Sequence, residues 1–381
     1  MRALPAAICL LAAIAVAGCG GSGEVARDGA RGRADSPLRA LGGTAAAGFA
    51  RALGPHDFRF PYDHGAHPAY RNEWWYVTGN VIDARGRRYG FQLTLFRIGL
   101  APGHAHRASA WATHQVWMGH LALTDVSRQR FQAHQRFARG GRIGLAGARR
   151  NPVEIWLEDW RLARADDGSW RLRASTDGLS LDLALTPHGQ PVLQGDRGLS
   201  RKSTAPGNAS YYYSLPRLSA QGRITLAGRA HTVSGRAWLD REWSTSALGA
   251  GQRGWDWFAL QLDDGTDVML YRLRREDGAT SPFSAGTVVR PDGRVRHLGA
   301  DDFTIDVLDR WTSPRGATYP ARWRLRVPGI DGTLTVTPVL PDQELDLAVR
   351  YWEGAVDIRG ARHDGVGYVE LTGYADTPGT D

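Results

Sequence analysis

The feature that most constrains this chain is a period-two alternation of apolar and polar residues, running with frequent breaks from about residue 55 to the end. Phe91, Leu93 and Leu95 share one face of such a segment, with Gln92 and Thr94 opposite. Side chains alternate sides along a strand, whereas a helix would space its apolar positions by 3.6 residues. The breaks are turn signals: Asp83-Ala-Arg-Gly86, Asp166-Asp-Gly168, Asp177-Gly178, Asp263-Asp-Gly265, Pro291-Asp-Gly293 and Asp331-Gly332. Each sets an acid that bonds its own backbone near a glycine that tolerates positive φ, which is hairpin chemistry. Many short, evenly spaced strands predict an all-β body of barrels or sandwiches. Glycine supports this, at 47 of 381 residues against a usual ~7%.

An internal repeat sharpens the expectation. Trp75-Tyr-Val-Thr-Gly-Asn-Val-Ile-Asp83 resembles Trp255-Asp-Trp-Phe-Ala-Leu-Gln-Leu-Asp263, and each is followed by a glycine-bearing turn and an apolar strand ending in arginine, Phe91 to Arg97 and Val268 to Arg272. Two similar β units are predicted, the second starting near residue 245.

The amino terminus reads as an export signal. Met1-Arg2 is a short positive region, and Leu4 to Ala17 is apolar over a length suited to a signal peptide and short for a membrane span. It ends in Val16-Ala17-Gly18-Cys19, which resembles the bacterial lipobox. The resemblance implies cleavage after residue 18 and lipidation of Cys19; Gly20 follows where an aspartate would imply inner-membrane retention, so the periplasmic face of the outer membrane is expected. Cys9, the other cysteine, leaves with the leader, so no disulfide is expected. Residues 19–54, rich in Gly, Ala and Arg, are expected to tether lipid to body.

Charge excludes less than it first suggests. The formal net charge is +8, but six arginines and three acids lie in the first 55 residues, and no basic block marks a nucleic-acid surface. No partner nucleic acid is expected. Two cysteines rule out a cysteine zinc cluster. No Gly-x-Ser-x-Gly elbow, His-Glu-x-x-His or phosphate-loop motif occurs. His104-Ala-His106, with His114 and His120, has no carboxylate nearby in sequence before Asp125, so no metal is expected.

A set of motifs is then diagnostic as a group: Asn72-Glu-Trp-Trp-Tyr76, Gly195-Asp-Arg-Gly-Leu-Ser-Arg-Lys202, Ala209-Ser-Tyr-Tyr-Tyr-Ser214, Trp238-Leu-Asp-Arg-Glu-Trp-Ser244, Gly254-Trp-Asp-Trp-Phe258, Tyr351-Trp-Glu-Gly354 and Gly367-Tyr-Val-Glu-Leu-Thr-Gly-Tyr374. Over roughly residues 56–376 the chain resembles the AttH-like family, related to carotenoid 1,2-hydratase (hydroxyneurosporene synthase) and sometimes labelled predicted secreted hydrolases. The resemblance implies two tandem lipocalin-like (calycin) antiparallel β-barrels, here 55–244 and 245–378 after a signal peptide at 1–18. It also implies cofactor-free addition of water to an isolated carbon–carbon double bond. The hydratase pattern has an acidic-His segment ending in Trp and a Tyr followed two positions later by Asp. Here Asp240-Arg-Glu-Trp243 and Tyr271-Arg-Leu273 keep Trp243 and Tyr271 and lack the His and the second Asp.

Hydration of an alkene needs a proton donor, a wall that tolerates a carbocation and a held water. A carboxyl in an apolar cavity keeps its proton to higher pH, and an indole face stabilises a passing cation by about 0.5–2 kcal/mol. Trp238-Leu-Asp-Arg-Glu-Trp243 supplies both: Trp238, Asp240 and Glu242 share one strand face, with the two carboxylates about 6–7 Å apart. Asp240 and Glu242, with Tyr271, are the candidate catalytic groups, or else Asp240 and Glu242 close a seam against arginine. Glu73 is either a cavity carboxylate or the partner of Arg97. Trp74, Trp75, Trp238, Trp243, Trp255 and Trp257 are candidate ligand shelves or core, and Asp256 lies on the face opposite Trp255 and Trp257. Lys202, the only lysine among 47 basic residues, stands where a compact ammonium is needed or is a leftover surface charge. Glu353 and Glu370 sit in aromatic strands and are read as paired structural carboxylates. The expected ligand is an apolar or amphiphilic small molecule, bound by an enzyme of hydro-lyase type or by a non-catalytic carrier. Carboxylates projecting into an apolar cavity would separate the first from the second. The place of the cavity, within one barrel, both or between them, stays open.

Overall fold

The structure, a computed structural model, describes residues 47–103, 109, 111–246 and 248–375. The signal peptide, Cys19 and the His104-Ala-His106 segment lie outside the described residues. The described part is all-β; its one helical element is a 3-10 turn at Tyr62–His64.

Thirteen strands form a first antiparallel sheet: β1 (Asn72–Asp83), β2 (Arg88–Gly99), β3 (Gln115–Asp125), β4 (Arg130–Arg139), β5 (Ala146–Arg150), β6 (Val153–Leu157), β7 (Trp160–Arg164), β8 (Trp170–Thr176), β9 (Leu179–Pro187), the short β10 (Val192–Leu193) and β11 (Leu199–Arg201), and the long β12 (Ala209–Leu226) and β13 (Arg229–Ser244). Their order is β4-β3-β2-β1-β13-β12-β9-β8-β7-β6-β5, with β10 and β11 on β12. A bridge between Gly140 and Ala146 joins the two ends, so the sheet is a nearly closed barrel. Ten strands form the second: β14 (Gln252–Leu262), β15 (Asp267–Arg275), β16 (Ala285–Val289), β17 (Val295–Leu298), β18 (Thr304–Thr312), β19 (Thr318–Arg326), β20 (Leu334–Pro338), β21 (Glu344–Asp346), β22 (Arg350–Arg359) and β23 (Gly365–Leu371), in the order β17-β16-β15-β14-β23-β22-β20-β19-β18. The fold is a pair of lipocalin-like barrels in tandem.

All six turn signals read from the sequence join paired antiparallel strands, and the glycine of each takes positive φ, from +74° at Gly86 and Gly332 to +89° at Gly168 and Gly265. The alternation places one face of each strand inside its barrel. Trp75, Val77, Phe91, Leu93, Leu95 and Trp117 join the first core, and Phe258, Leu260, Trp323 and Trp352 the second. These interiors are packed with side chains.

The repeat is real in topology and shifted in register. Trp75 faces the interior of its barrel, whereas Trp255 and Trp257 face out of theirs. The structural counterpart of Glu73, opposite Arg97, is Asp256, opposite Arg272. Each carboxylate is held by two arginines: Glu73 by Arg97 and Arg241, Asp256 by Arg272 and Arg274. The sequence alignment paired tryptophans of opposite facing because the tryptophan-to-aspartate spacing is eight in both copies.

Residues 47–54, expected to belong to the tether, pack on the first barrel. Phe49 and Ala52 are buried, Ala50 N–H bonds the carbonyl of Ala69 at 2.8 Å, and its own carbonyl accepts from Thr245. Small side chains let this segment lie flat on Tyr211 and Trp243.

The outer faces of the barrels meet along β1–β3, β12 and β13 on one side and β14, β15, β22 and β23 on the other. Polar clasps cross the seam: Asn80 Nδ2 to the Gly367 carbonyl at 3.0 Å, Arg217 to Asp267 at 2.7 Å, and Gln261 Nε2 to the Pro216 and Ala237 carbonyls at 2.7 and 3.0 Å. Gly90 permits the approach: a Cβ there would lie 2.6 Å from Ala355 Cβ.

Candidate active site

Register builds a cavity at this seam. Directly opposed residues of an antiparallel sheet share a face. Across β12, β13, β1, β2 and β3 one such row reads Tyr212, Glu242, Trp74, Phe96, Met118, and the next reads Ser214, Asp240, Tyr76, Thr94, His120. Across β22, β23, β14 and β15 the facing row reads Glu353, Glu370, Trp257, Tyr271. Where these rows look at one another a cavity of about 100 Å³ remains, with Trp255, Leu273, Lys202 and Tyr351 also in its wall. It lies between the barrels, not inside either. It is the size of one end of a small lipophilic molecule.

The strand-face reading of Trp238 to Trp243 is what the structure shows. Asp240 and Glu242 line the cavity and Trp238 packs beside it, while Leu239, Arg241 and Trp243 face the other way. Asp240 accepts three hydrogen bonds, from Ser214 Oγ at 2.6 Å and Trp238 Nε1 at 2.6 Å on one oxygen and from Tyr212 Oη at 2.5 Å on the other. Burial nevertheless dominates, and with Glu242 nearby it lifts the Asp240 pKa to about 7 against the three donors. Glu242 pairs with Lys202 Nζ at 3.3 Å. Tyr271 lines the cavity and its hydroxyl meets Ser200 Oγ at 2.9 Å.

Trp74, Trp255 and Trp257 reach the cavity wall. Three other sequence candidates do not. Glu73 is fully enclosed in the first barrel between Arg97 and Arg241, which hold its carboxyl well below the ordinary range despite burial. Trp75 lies under the Arg241 guanidinium at 3.9 Å, inside the same barrel. Trp243 stacks on His67 at 3.8 Å beneath the amino-terminal strap. All three sit on the inward parity of their strands. Among the described residues no cluster of His, Cys, Asp and Glu could hold a metal ion; His120 is buried, its pKa lowered by burial to about 3, with Nδ1 2.8 Å from Tyr351 Oη.

Glu353 and Glu370, which the sequence marks as paired structural carboxylates, instead oppose each other across β22 and β23, and both line the cavity. Among the described residues neither has an ion-pair partner, and neither Glu353 oxygen has a hydrogen bond of ordinary geometry. Burial first, then Glu370, pushes the Glu353 pKa well up, while the nearby Tyr76 and Tyr351 phenols oppose the rise. Burial, with Asp240 and Glu242, lifts Glu370 to about 8. Two carboxyls this close in an apolar wall share protons instead of both ionising. The signal was in the sequence: each glutamate has an aromatic residue two positions before it on the same strand face, Tyr351 and Tyr368.

Tandem lipocalin-like barrels packed along one seam define the class of protein. The AttH-like family model matches residues 51–374. A crystal structure of an AttH protein from Nitrosomonas europaea is 35% identical, with a TM-score of 0.77 over 86% of this chain and all of that one. This chain belongs to the AttH-like family. Kievitone hydratase from Nectria haematococca has the same fold at 14% identity (TM-score 0.63, 86% of this chain, 97% of that one), as has CghA in complex with Sch210972 at 13% (TM-score 0.50, 87% and 97%). Among curated proteins none matches the chain in sequence.

Proposed function

We propose that this protein is a cofactor-independent hydro-lyase that adds water to an isolated carbon–carbon double bond in the cavity between its barrels. The observation that carries this reading is the Glu353–Glu370 pair, two carboxyls directly opposed on β22 and β23 in an aromatic wall, where burial raises both pKa values and so favours the protonated form. The environments of the carboxyls divide the labour. Glu353, flanked by the Tyr76 and Tyr351 phenols and raised by burial, presents its proton to the less substituted alkene carbon. The π electrons form the new C–H bond, and the positive charge develops at the more substituted carbon between Trp74, Trp255 and Trp257. Asp240, whose pKa of about 7 leaves part of the population ionised at neutral pH, accepts in that form a proton from the attacking water as its oxygen bonds to that carbon. The acid has lost one proton and the base has gained one; exchange between them resets the site. A neighbour of the same fold is named a hydratase, which this chemistry fits.

The test is incubation of purified protein with a panel of prenyl-bearing alkenes in ¹⁸O-labelled water. The reading expects labelled tertiary alcohol from wild type and a loss of about 10²–10⁴-fold in Glu353→Gln. Saturable binding with no labelled product from any alkene would favour the carrier reading. We further propose that the chain is exported and anchored through Cys19 on the periplasmic face of the outer membrane, which would hold the cavity near lipophilic molecules.

A further inference from the structure

Lys202 is the only lysine in a chain with 46 arginines, and it is in the cavity wall, not on the surface. Its ammonium sits 3.1 Å from Ser200 Oγ and 3.3 Å from Glu242 Oε1, over the Tyr271 ring at 4.7 Å. Ser200 Oγ in turn meets Tyr271 Oη. An ammonium has three donors, and these contacts use two. Arginine could not serve the same place: its planar five-donor fork would close on Glu242 and leave several buried N–H groups unmet. A buried compact cation that, among the described residues, keeps one donor to spare in a wall of aromatic rings and carboxyls is costly unless something uses it.

We propose that Lys202, Ser200 and Tyr271 form an oxygen-recognising corner, and that the molecule held here is an amphiphile whose carbonyl or carboxylate oxygen docks on Lys202 while its alkene end lies among Trp74, Trp255 and Trp257. Glu242 keeps the empty corner near neutrality, and Tyr271 tilts the ammonium by its ring face. This names the substrate class of the proposed reaction and rests on the cavity being the binding site; it does not require that water be added there.

The test uses three probes built on one ten-carbon skeleton, each keeping an isolated trisubstituted double bond far from its head: myrcene, methyl geranate and geranic acid. Quenching of cavity tryptophan fluorescence reports binding. Methyl geranate and geranic acid should bind at least about tenfold more tightly than myrcene, the worth of one charge-assisted hydrogen bond. In the charge-balanced double variant Lys202→Met/Glu242→Gln the preference of the oxygenated probes over myrcene should vanish. Equal affinity for the three probes, no saturable binding of the oxygenated two, or a preference that survives the double variant would overturn the proposal. Mass spectrometry of the same mixtures in ¹⁸O-water reads hydration separately, so selective binding without turnover would count against the hydro-lyase reading alone.

Discussion

Glu353 and Glu370 stand directly opposite each other on β22 and β23, the first buried and the second half-buried, both facing an aromatic cavity and, among the described residues, neither matched with a cation. Such a pair is destabilising if fully ionised, and burial raises the pKa of both members, so at least one is expected to stay protonated at neutral pH. The same rows place Asp240 and the Lys202–Glu242 pair on the facing wall, so one small space holds four carboxyls and a single ammonium.

Stability should report this directly. Glu370 is raised from 4.5 to about 8 and Asp240 from 3.8 to about 7. A carboxyl whose native pKa exceeds its unfolded one favours the folded state while protonated; that contribution is complete below the unfolded value and is lost as pH rises through the folded one. The Tm should therefore fall as pH rises from about 5 to about 9, and Glu370→Gln should flatten the slope and raise the Tm most at the alkaline end. Thermal melts across that range check both.

Asp240→Asn should separate binding from chemistry. The amide keeps the shape and can still meet Tyr212 and Ser214, so probe affinity should change by less than about threefold, while turnover falls by about 10²–10⁴-fold. Fluorescence titration beside the labelled-water assay measures the two. Loss of both together would make Asp240 a strut.

Glu73 should behave in the opposite way. Its carboxylate neutralises two enclosed guanidinium groups, and removing one partner of a buried ionic cluster costs about 3–5 kcal/mol. Glu73→Gln should lower the denaturant midpoint by that measure, and the protein that remains folded should keep its probe affinity.

Cys19→Ala should release the chain from the membrane fraction and abolish metabolic incorporation of labelled palmitate, while the purified body binds probes as before. Retention in the membrane with no change in labelling would remove the anchor from the account.

Much of this was legible in the residues. Alternation and Asp-Gly turns forecast the strands because they express local backbone physics: strand parity, and the freedom of glycine at positive φ. Parity also put Asp240 and Glu242 on one face and Arg241 and Trp243 on the other. What parity could not supply was which face looks inward. Trp75 and Trp255 open similar strands, yet one fills a barrel and the other lines a cavity, because the repeat is offset by an odd number of residues and each step reverses the facing. Nor could one strand reveal its neighbour: Glu353 and Glu370 are seventeen residues apart in sequence and meet only through the register of β22 on β23. Lys202 stood out by composition alone, and only the structure shows what surrounds it.

The central claim is that a carboxyl of the Glu353–Glu370 pair remains protonated at neutral pH. Infrared difference spectroscopy of the full-length protein at pH 7, wild type against Glu353→Gln, measures it. The account predicts a protonated carboxylic acid carbonyl band in the wild type that shifts in D₂O and is lost or moved in the variant; a spectrum with only ionised carboxylate bands at that pH would contradict it.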